Sequence, residues 1–270
     1  MSDGARAGSI LLVGAGRMGS ALLRGWIAAG IDPASLAVWE PRPSPELSAL
    51  LAERGIGTRP TAAPDTIVLA VKPQVLPQIL STVAPEVGPR TAVLSIAAGR
   101  TVESIANALP NGPAIVRAMP NLPAEIGRGI TVAYANATVE TDVRTRCEAL
   151  LRAVGDVAWV EEERLLDAVT AVSGSGPAYV FHLVECLGDA GVAAGLSKDL
   201  AARLARATVT GAGELLHKSS LSAAELREAV TSPGGTTEAA LSVLTAEPSL
   251  ARLIRETVAA AARRSRELSR

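Results

Sequence analysis

Two short clusters in this 270-residue chain combine residue types and spacing that can do chemistry. The first is GAGRMG, in which Gly14, Gly16 and Gly19 follow the apolar run SILLV and precede an amphipathic stretch. Placed there, the first glycine permits a tight turn. The second lets backbone approach a pyrophosphate, and the third lets a helix pack close against its strand. Ala15, Arg17 and Met18 complete the turn, and the N–H groups of the helix start offer partial positive charge to phosphate. The second cluster is SPGGTT, residues 232 to 237, which stiffens and bares the backbone in the middle of a helical region. A helix-to-helix turn needs a Gly or a Pro; it seldom needs Pro233, Gly234 and Gly235 together, followed by two hydroxyls.

Further candidate positions lie where apolar runs end. Glu40, in AVWEPR, stands 40 − 19 = 21 residues beyond Gly19, about where a dinucleotide fold keeps a carboxylate for the ribose hydroxyls of NAD. Arg42, two residues on, suits the 2′-phosphate of NADP instead, so the cofactor is NAD or NADP. Ala70, Val71, Lys72 and Pro73 end a third run, and Ala97, Ala98 and Gly99 end a fourth. Ligands of such sheets bind beyond the carboxyl ends of the strands, and these small residues would line the cleft. Lys72 in solvent is the plainer alternative. A fifth run ends in RAMPNLP, with Arg117, Asn121 and two loop-fixing prolines.

These residues require elements to hold them, and the chain supplies two textures. Up to about residue 160, apolar runs (SILLV, LAVW, TIVLAV, AVLSI, AIVRAM, ITVAYA, GDVAW) alternate with amphipathic stretches, the pattern of an α/β domain with a parallel sheet and crossover helices. PRPSPE, residues 41 to 46, reads as a surface turn leading into a helix. From residue 161 the apolar positions recur three and four apart, which predicts an all-α second half. Residues 1–160 are therefore expected to form a dinucleotide-binding domain and 161–270 a helical one. Apolar residues make up 48% of the chain and aromatics only 2%, so the core must be close-packed Ala, Leu, Val and Ile. The 26 basic and 27 acidic residues nearly cancel, which argues against a nucleic-acid surface or a polybasic membrane contact. The first apolar stretch is broken by Arg17, Arg24 and glycines, so neither a membrane helix nor a signal peptide is expected. Cys147 and Cys186 lie in helical patterns with no metal-ligand spacing and are expected to be buried thiols. A soluble protein of a reducing compartment, the cytoplasm, follows as an expectation.

Taken in order, GAGRMG, AVKP, SIAAG, RAMPN, VSGSGPAYVF and REAVTSPGGTTEAAL resemble pyrroline-5-carboxylate reductase across residues 9 to 268. The last two motifs are the specific ones. The resemblance implies NAD(P)H-dependent reduction of the cyclic imino acid 1-pyrroline-5-carboxylate to L-proline, on a homodimer with interlocking helical domains. It leaves open whether dimers build a higher assembly. It implies that Gly14 to Gly19 hold the pyrophosphate, that 70–73 and 97–99 border the path from adenosine to nicotinamide, and that Asn121 lies beside the nicotinamide. Substrate would be held by Ser232, Gly234, Gly235, Thr236 and Thr237, with Gly176 and Pro177 shaping the pocket. Glu163 coincides with an acidic residue that approaches the ring in some relatives, although acidic residues at a helix start are ordinary. Two departures stand out: Leu122 where Thr is common, and Glu40 where a small hydroxyl or Asn is frequent, which speaks for NAD.

Given such a substrate, a glycine-rich helix start is a natural cradle for its carboxylate. A protonated imine is already electrophilic, so alignment and exclusion of water do most of the protein's work. The motifs hold no strong general acid, and His182 and His217 fall outside them. The Thr237 hydroxyl, or a bound water, is the candidate proton relay. One alternative is a β-hydroxyacid dehydrogenase, but the helix SGSGPAYVFHLVE lacks the Lys such an enzyme uses as proton partner. The other is a non-catalytic dinucleotide sensor, which fold alone does not exclude.

Overall fold

The computed structural model describes residues 8–268 and divides into two compact units, one running to Ser175 and resuming at Ala261, the other comprising Gly176–Ala260. In the first, seven strands form one sheet in the order β2-β1-β3-β4-β5-β6-β7. They are β1 (Ile10–Val13), β2 (Leu36–Trp39), β3 (Thr66–Leu69), β4 (Ala92–Ser95), β5 (Ala114–Met119), β6 (Gly129–Ala135) and β7 (Gly155–Trp159). Strands β1, β3 and β4 are buried at every position, as parallel strands covered on both faces must be. Alternation sorts their side chains. Ile10 and Leu12 face one core with Leu22, Leu23 and Trp26 of α1 (Arg17–Ala28) and Leu150 of α5 (Thr141–Arg152). Leu11 and Val13 face the other, with Leu76 and Leu80 of α3 (Leu76–Val83) and Ile105 of α4 (Val102–Ala106). The expected Rossmann-like layering is therefore present.

One pairing departs from the parallel expectation, and it reverses the last two strands. β6 runs antiparallel to β5, and β7 then pairs parallel with β6. The link from β5 to β6 holds only a 3-10 turn, Leu122–Ile126, too short for the crossover a parallel neighbour demands. PRPSPE behaves as its prolines require: Ser44 accepts a hydrogen bond from the Leu47 N–H and Pro45 opens α2 (Pro45–Arg54).

The helical half begins with α6 (Leu165–Val169), a π-helix (Thr170–Gly174) and α7 (Gly176–Ala193). It continues through α8 (Lys198–Lys218), α9 (Ala223–Ala229), α10 (Thr236–Thr245) and α11 (Leu250–Leu268). Within the second unit α7 and α8 pack through small residues, Gly191 lying against Ala201 and Gly188 facing Ala202 and Ala205. Ala201 and Ala205 are its only buried apolar side chains, while Phe181, Leu183, Leu204, Leu215 and Val243 are more than 45% exposed. The two cysteines part company. Cys147 is buried under the sheet, where desolvation pushes its thiol up to about 12. Cys186, expected to be buried, is exposed, because a single chain covers α7 chiefly on its glycine face. No helix among the described residues is long and apolar enough to cross a membrane.

The Trp26 ring is fully buried, and its indole N–H donates to the Leu150 carbonyl at 2.9 Å, tying α1 to α5. Trp26→Ala removes ring packing and leaves that carbonyl unpaired, at an expected cost of about 3–5 kcal/mol, to be read as a lowered urea midpoint with unchanged slope.

Candidate functional site

The glycine motif occupies the carboxyl end of β1. Gly14 takes φ +87° and donates its N–H to the Trp39 carbonyl at 2.9 Å, which fastens the turn to β2. A Cβ on Gly19 would fall 2.3 Å from the Gly14 carbonyl oxygen, so only glycine lets α1 start this close to its strand. At Gly16, the residue before α1, an added Cβ would meet nothing within 4 Å. Open space beside the first-turn N–H groups of a helix is what a pyrophosphate needs, and the residues present fit a dinucleotide. Met18 and Ala15 pack against the core. Arg17 makes a two-pronged ion pair with Glu125, at 2.9 and 3.1 Å, and the hydrogen-bonded carboxylate holds the guanidinium above its ordinary value.

Glu40 braces the same loop. One carboxylate oxygen accepts from the Ala15 N–H at 3.0 Å and the other from the Arg42 N–H at 3.1 Å. Both oxygens thus hold backbone in place, a use its spacing alone did not suggest. A cleft of about 510 Å³ opens beside them, bordered by Gly14, Gly16, Trp39, Ala70, Val71 and Lys72. Lys72 and Arg42 are exposed at its rim. A second cleft, about 480 Å³ and also within the first unit, is lined by Pro73, Ala98, Gly99, Arg100, Thr170 and Ser175, with Ser265 and Leu268 of the last helix. Ser265 donates to Asp167 at 2.6 Å, and Arg100 donates to the Pro73 carbonyl at 3.3 Å. Ala97 is buried beneath its loop. A further depression of about 440 Å³, lined by Asp65, Arg90, Asn111 and Arg146, lies among loops that enter strands, away from the carboxyl ends where such sheets bind ligands.

Two polar residues at the carboxyl end of β5 are already engaged. The Asn121 side-chain oxygen accepts from the Ile130 N–H at 3.0 Å, which fixes the entry to β6. Glu163 accepts from Arg117 at 2.8 Å and from the Val102 N–H at 2.8 Å, linking β5 to the start of α4. Arg117 is nearly buried, so this carboxylate neutralises a cation that would otherwise be costly to enclose. Sequence gave no sign of Glu125, Asp167 or Ser265 as partners, because each meets a residue about a hundred positions away or more.

The SPGGTT cluster belongs to the second unit. Gly235 donates to the Ser232 carbonyl at 3.0 Å and Gly234, at φ +70°, donates to Glu238 at 2.6 Å. Two of the expected free N–H groups are therefore spent inside the turn. Those of Thr236 and Thr237 remain, in the first turn of α10, beside the exposed Ser232 hydroxyl. A Cβ on Gly235 would lie 2.5 Å from that hydroxyl oxygen, so glycine keeps it accessible. Gly176 and Pro177 open α7, half-buried, with open space at the Gly176 Cβ position. His182 touches only neighbours on its own helix, Glu185 at 3.0 Å and Cys186 at 3.6 Å. Among the described residues no group of three or more His, Cys, Asp or Glu side chains could hold a metal ion.

Two glycine substitutions separate fold from binding. Gly16→Ala is expected to leave the melting temperature within about a degree while weakening dinucleotide affinity at least tenfold, because the methyl enters only the open space before the α1 N-terminus, where a pyrophosphate would sit. Gly19→Ala is expected to lower the melting temperature as well, since it collides with backbone. Calorimetric titration and thermal unfolding of both variants check the pair; unchanged binding by Gly16→Ala would remove the phosphate cradle.

Comparison with known proteins agrees with this geometry. Residues 163–268 match the family described as pyrroline-5-carboxylate reductase dimerisation, and residues 9–99 match NADP oxidoreductase, coenzyme F420-dependent. The pyrroline-5-carboxylate reductase of Pseudomonas aeruginosa is 38% identical over 265 residues, covering 96% of each chain. That of Methanosarcina acetivorans is 38% identical over 269 residues, covering 96% of this chain and 97% of its own. The solved pyrroline-5-carboxylate reductase of Coxiella burnetii matches with a TM-score of 0.90 at 36% identity, covering 98% of this chain and 99% of its own. The Plasmodium falciparum pyrroline carboxylate reductase, solved with NADP bound, matches at 0.80 and 28% identity with the same coverage. The helical half and the full-length relatives lead to one assignment: the chain belongs to the pyrroline-5-carboxylate reductase family.

Proposed function

We propose that this chain reduces 1-pyrroline-5-carboxylate to L-proline, the last step of proline biosynthesis, and that NADPH is the hydride donor. The observation that carries the proposal is that one chain holds both a phosphate cradle at Gly14–Gly19 and a helix start at Thr236 with two N–H groups unspent. When bound, the reduced nicotinamide would supply a hydride to the imine carbon, C2 of the pyrroline and C5 of the proline formed, the C=N π pair passing to nitrogen. The protein's part is to bind and align. Thr236 and Thr237 N–H groups, with the Ser232 hydroxyl, hold the substrate carboxylate. The Thr237 hydroxyl meets the ring nitrogen, which fixes the face presented and keeps a proton there. The neighbouring Glu238 carboxylate, held by the Gly234 N–H, adds negative charge beside a cationic ring. Because an iminium needs no strong acid once protonated, the absence of a buried acid at α10 is no obstacle.

NADPH is preferred on local charge. With both Glu40 oxygens occupied by backbone, the cations at the cleft rim, Arg42 and Lys72, are the groups that can meet a 2′-phosphate. Two such units are expected to associate as a homodimer through the exposed apolar faces of α7, α8 and α10, and the helical half carries both dimerisation and substrate binding. Rings of dimers would leave the site unchanged. Free Cys147 and Cys186 fit a reducing compartment, the cytoplasm.

Thr237→Ala is expected to cut kcat about tenfold to a hundredfold, the worth of a hydrogen bond to a charged group, with Thr237→Ser largely restoring it. Unchanged turnover in a folded Thr237→Ala protein would remove the hydroxyl from the mechanism. Arg42→Ala is expected to raise KM for NADPH about tenfold while leaving KM for NADH within about twofold. Equal effects on both would return the ribose to Glu40. Imine-dependent consumption of NADPH separates an enzyme from a silent dinucleotide sensor.

A further inference from the structure

Ser173 is the one described residue with a buried side-chain oxygen that meets no hydrogen-bond partner. Enclosed hydroxyls are ordinarily satisfied, and one left unpaired needs a reason. Its neighbours show what a structural hydroxyl does here: Thr170 donates to the Leu166 carbonyl at 2.7 Å, and Ser265 donates to Asp167 at 2.6 Å. Ser173 does neither. It lies in the Thr170–Gly174 π-helix, closed by the Ser175 N–H donating to the Thr170 carbonyl at 2.8 Å. Single π turns inside α-helices are uncommon and recur at functional sites.

The placement of this turn gives the hydroxyl something to meet. A Cβ on Gly174 would come within 2.6 Å of the Met119 terminal methyl, so the π turn presses on the carboxyl end of β5, the rim where such sheets bind ligands. On either side of Ser173, Thr170 and Ser175 line the 480 Å³ cleft together with Pro73, Ala98 and Gly99. Every one of those residues belongs to the first unit, and Pro73 directly follows Lys72, which borders the cleft at Gly14, so the two clefts adjoin along one strand-end loop. The carboxylate-binding turn is in the other unit. A ligand reaching this cleft from the phosphate cradle is therefore the far end of the dinucleotide.

We propose that Ser173 is a binding residue for the carboxamide of that far ring, to which its hydroxyl turns by a change of one side-chain rotamer. This rests on the dinucleotide assignment of the first unit. A hydroxyl can donate to the carboxamide oxygen or accept from its NH₂, and either bond ends its isolation. Engaging the carboxamide fixes the rotation of the ring about its glycosidic bond, and with it the face from which hydride leaves.

The experiment uses the full-length protein, wild type and Ser173→Ala, with NADP⁺ and with 2′-phospho-ADP-ribose, which has no nicotinamide. Unliganded Ser173→Ala is expected to melt at or above the wild-type temperature, because an unsatisfied hydroxyl has been removed. Its affinity for NADP⁺ by calorimetry is expected to fall about fivefold to tenfold, while 2′-phospho-ADP-ribose binds both proteins alike. Ser173→Cys, of similar shape with a weaker donor, should fall between and serves if the alanine protein does not fold. Equal NADP⁺ affinities, equal losses for both ligands, or a lowered melting temperature with unchanged binding would overturn the proposal. Wild-type protein that binds neither ligand would overturn the dinucleotide assignment and the proposal with it.

Discussion

The approach of α1 to the end of β1 is the constraint on which the first unit depends. With 2.3 Å between the Gly14 carbonyl oxygen and a Cβ at Gly19, any side chain would push the helix off its strand. That one contact aims the α1 N-terminus into the cleft and brings its unpaired N–H groups to one point. It also sets how near Ala70 and Val71 lie, since a Cβ on Gly14 would strike both. Glu40 then acts as a strut, spanning from the Ala15 N–H to the Arg42 N–H. A loop of glycines is entropically expensive to order, and a carboxylate gripping its Ala15 amide offsets part of that cost.

The second unit lives under a different constraint, the shortage of interior. Four helices and the first part of a fifth, with only Ala201 and Ala205 fully enclosed among their apolar residues, cannot recover their ordering entropy alone. Small residues let α7 and α8 come close, but that contact uses glycine and alanine surface and leaves the leucines outside. Association through its dimerisation domain would supply the interior that this half lacks. The sheet unit, by contrast, fills both of its faces from its own sequence.

That contrast explains what could be read from sequence. Each of the seven strands and the long helices of the second half was visible because period and composition are local properties, and β1 to β4 are predominantly apolar. The glycine motifs were legible because their chemistry is backbone chemistry. The reversal of β6 was not, although the brevity of residues 120 to 128 contained it. Cys186 was misplaced since burial depends on which face a neighbour covers, and helical periodicity does not say whose neighbour. The two backbone bonds of Glu40 were invisible, and so were the long-range pairs Arg17 with Glu125 and Arg117 with Glu163. At SPGGTT the motif was plain, whereas the capture of Gly234 by Glu238 needed coordinates.

Those hidden pairs share a consequence for the chemistry. Arg17, Arg117, Glu125 and Glu163 surround the rim of the sheet, yet each cation is matched by a carboxylate at hydrogen-bond distance. Glu163, which lies nearest in type to an acid catalyst, gives one oxygen to both Arg117 and the Val102 amide. These four residues thus form closed ion pairs, and the proton relay proposed at Thr237 does not draw on them. Such a division suits a substrate that becomes electrophilic by protonation in water before it is bound, because the protein then has only to hold a cationic ring and a carboxylate in one orientation.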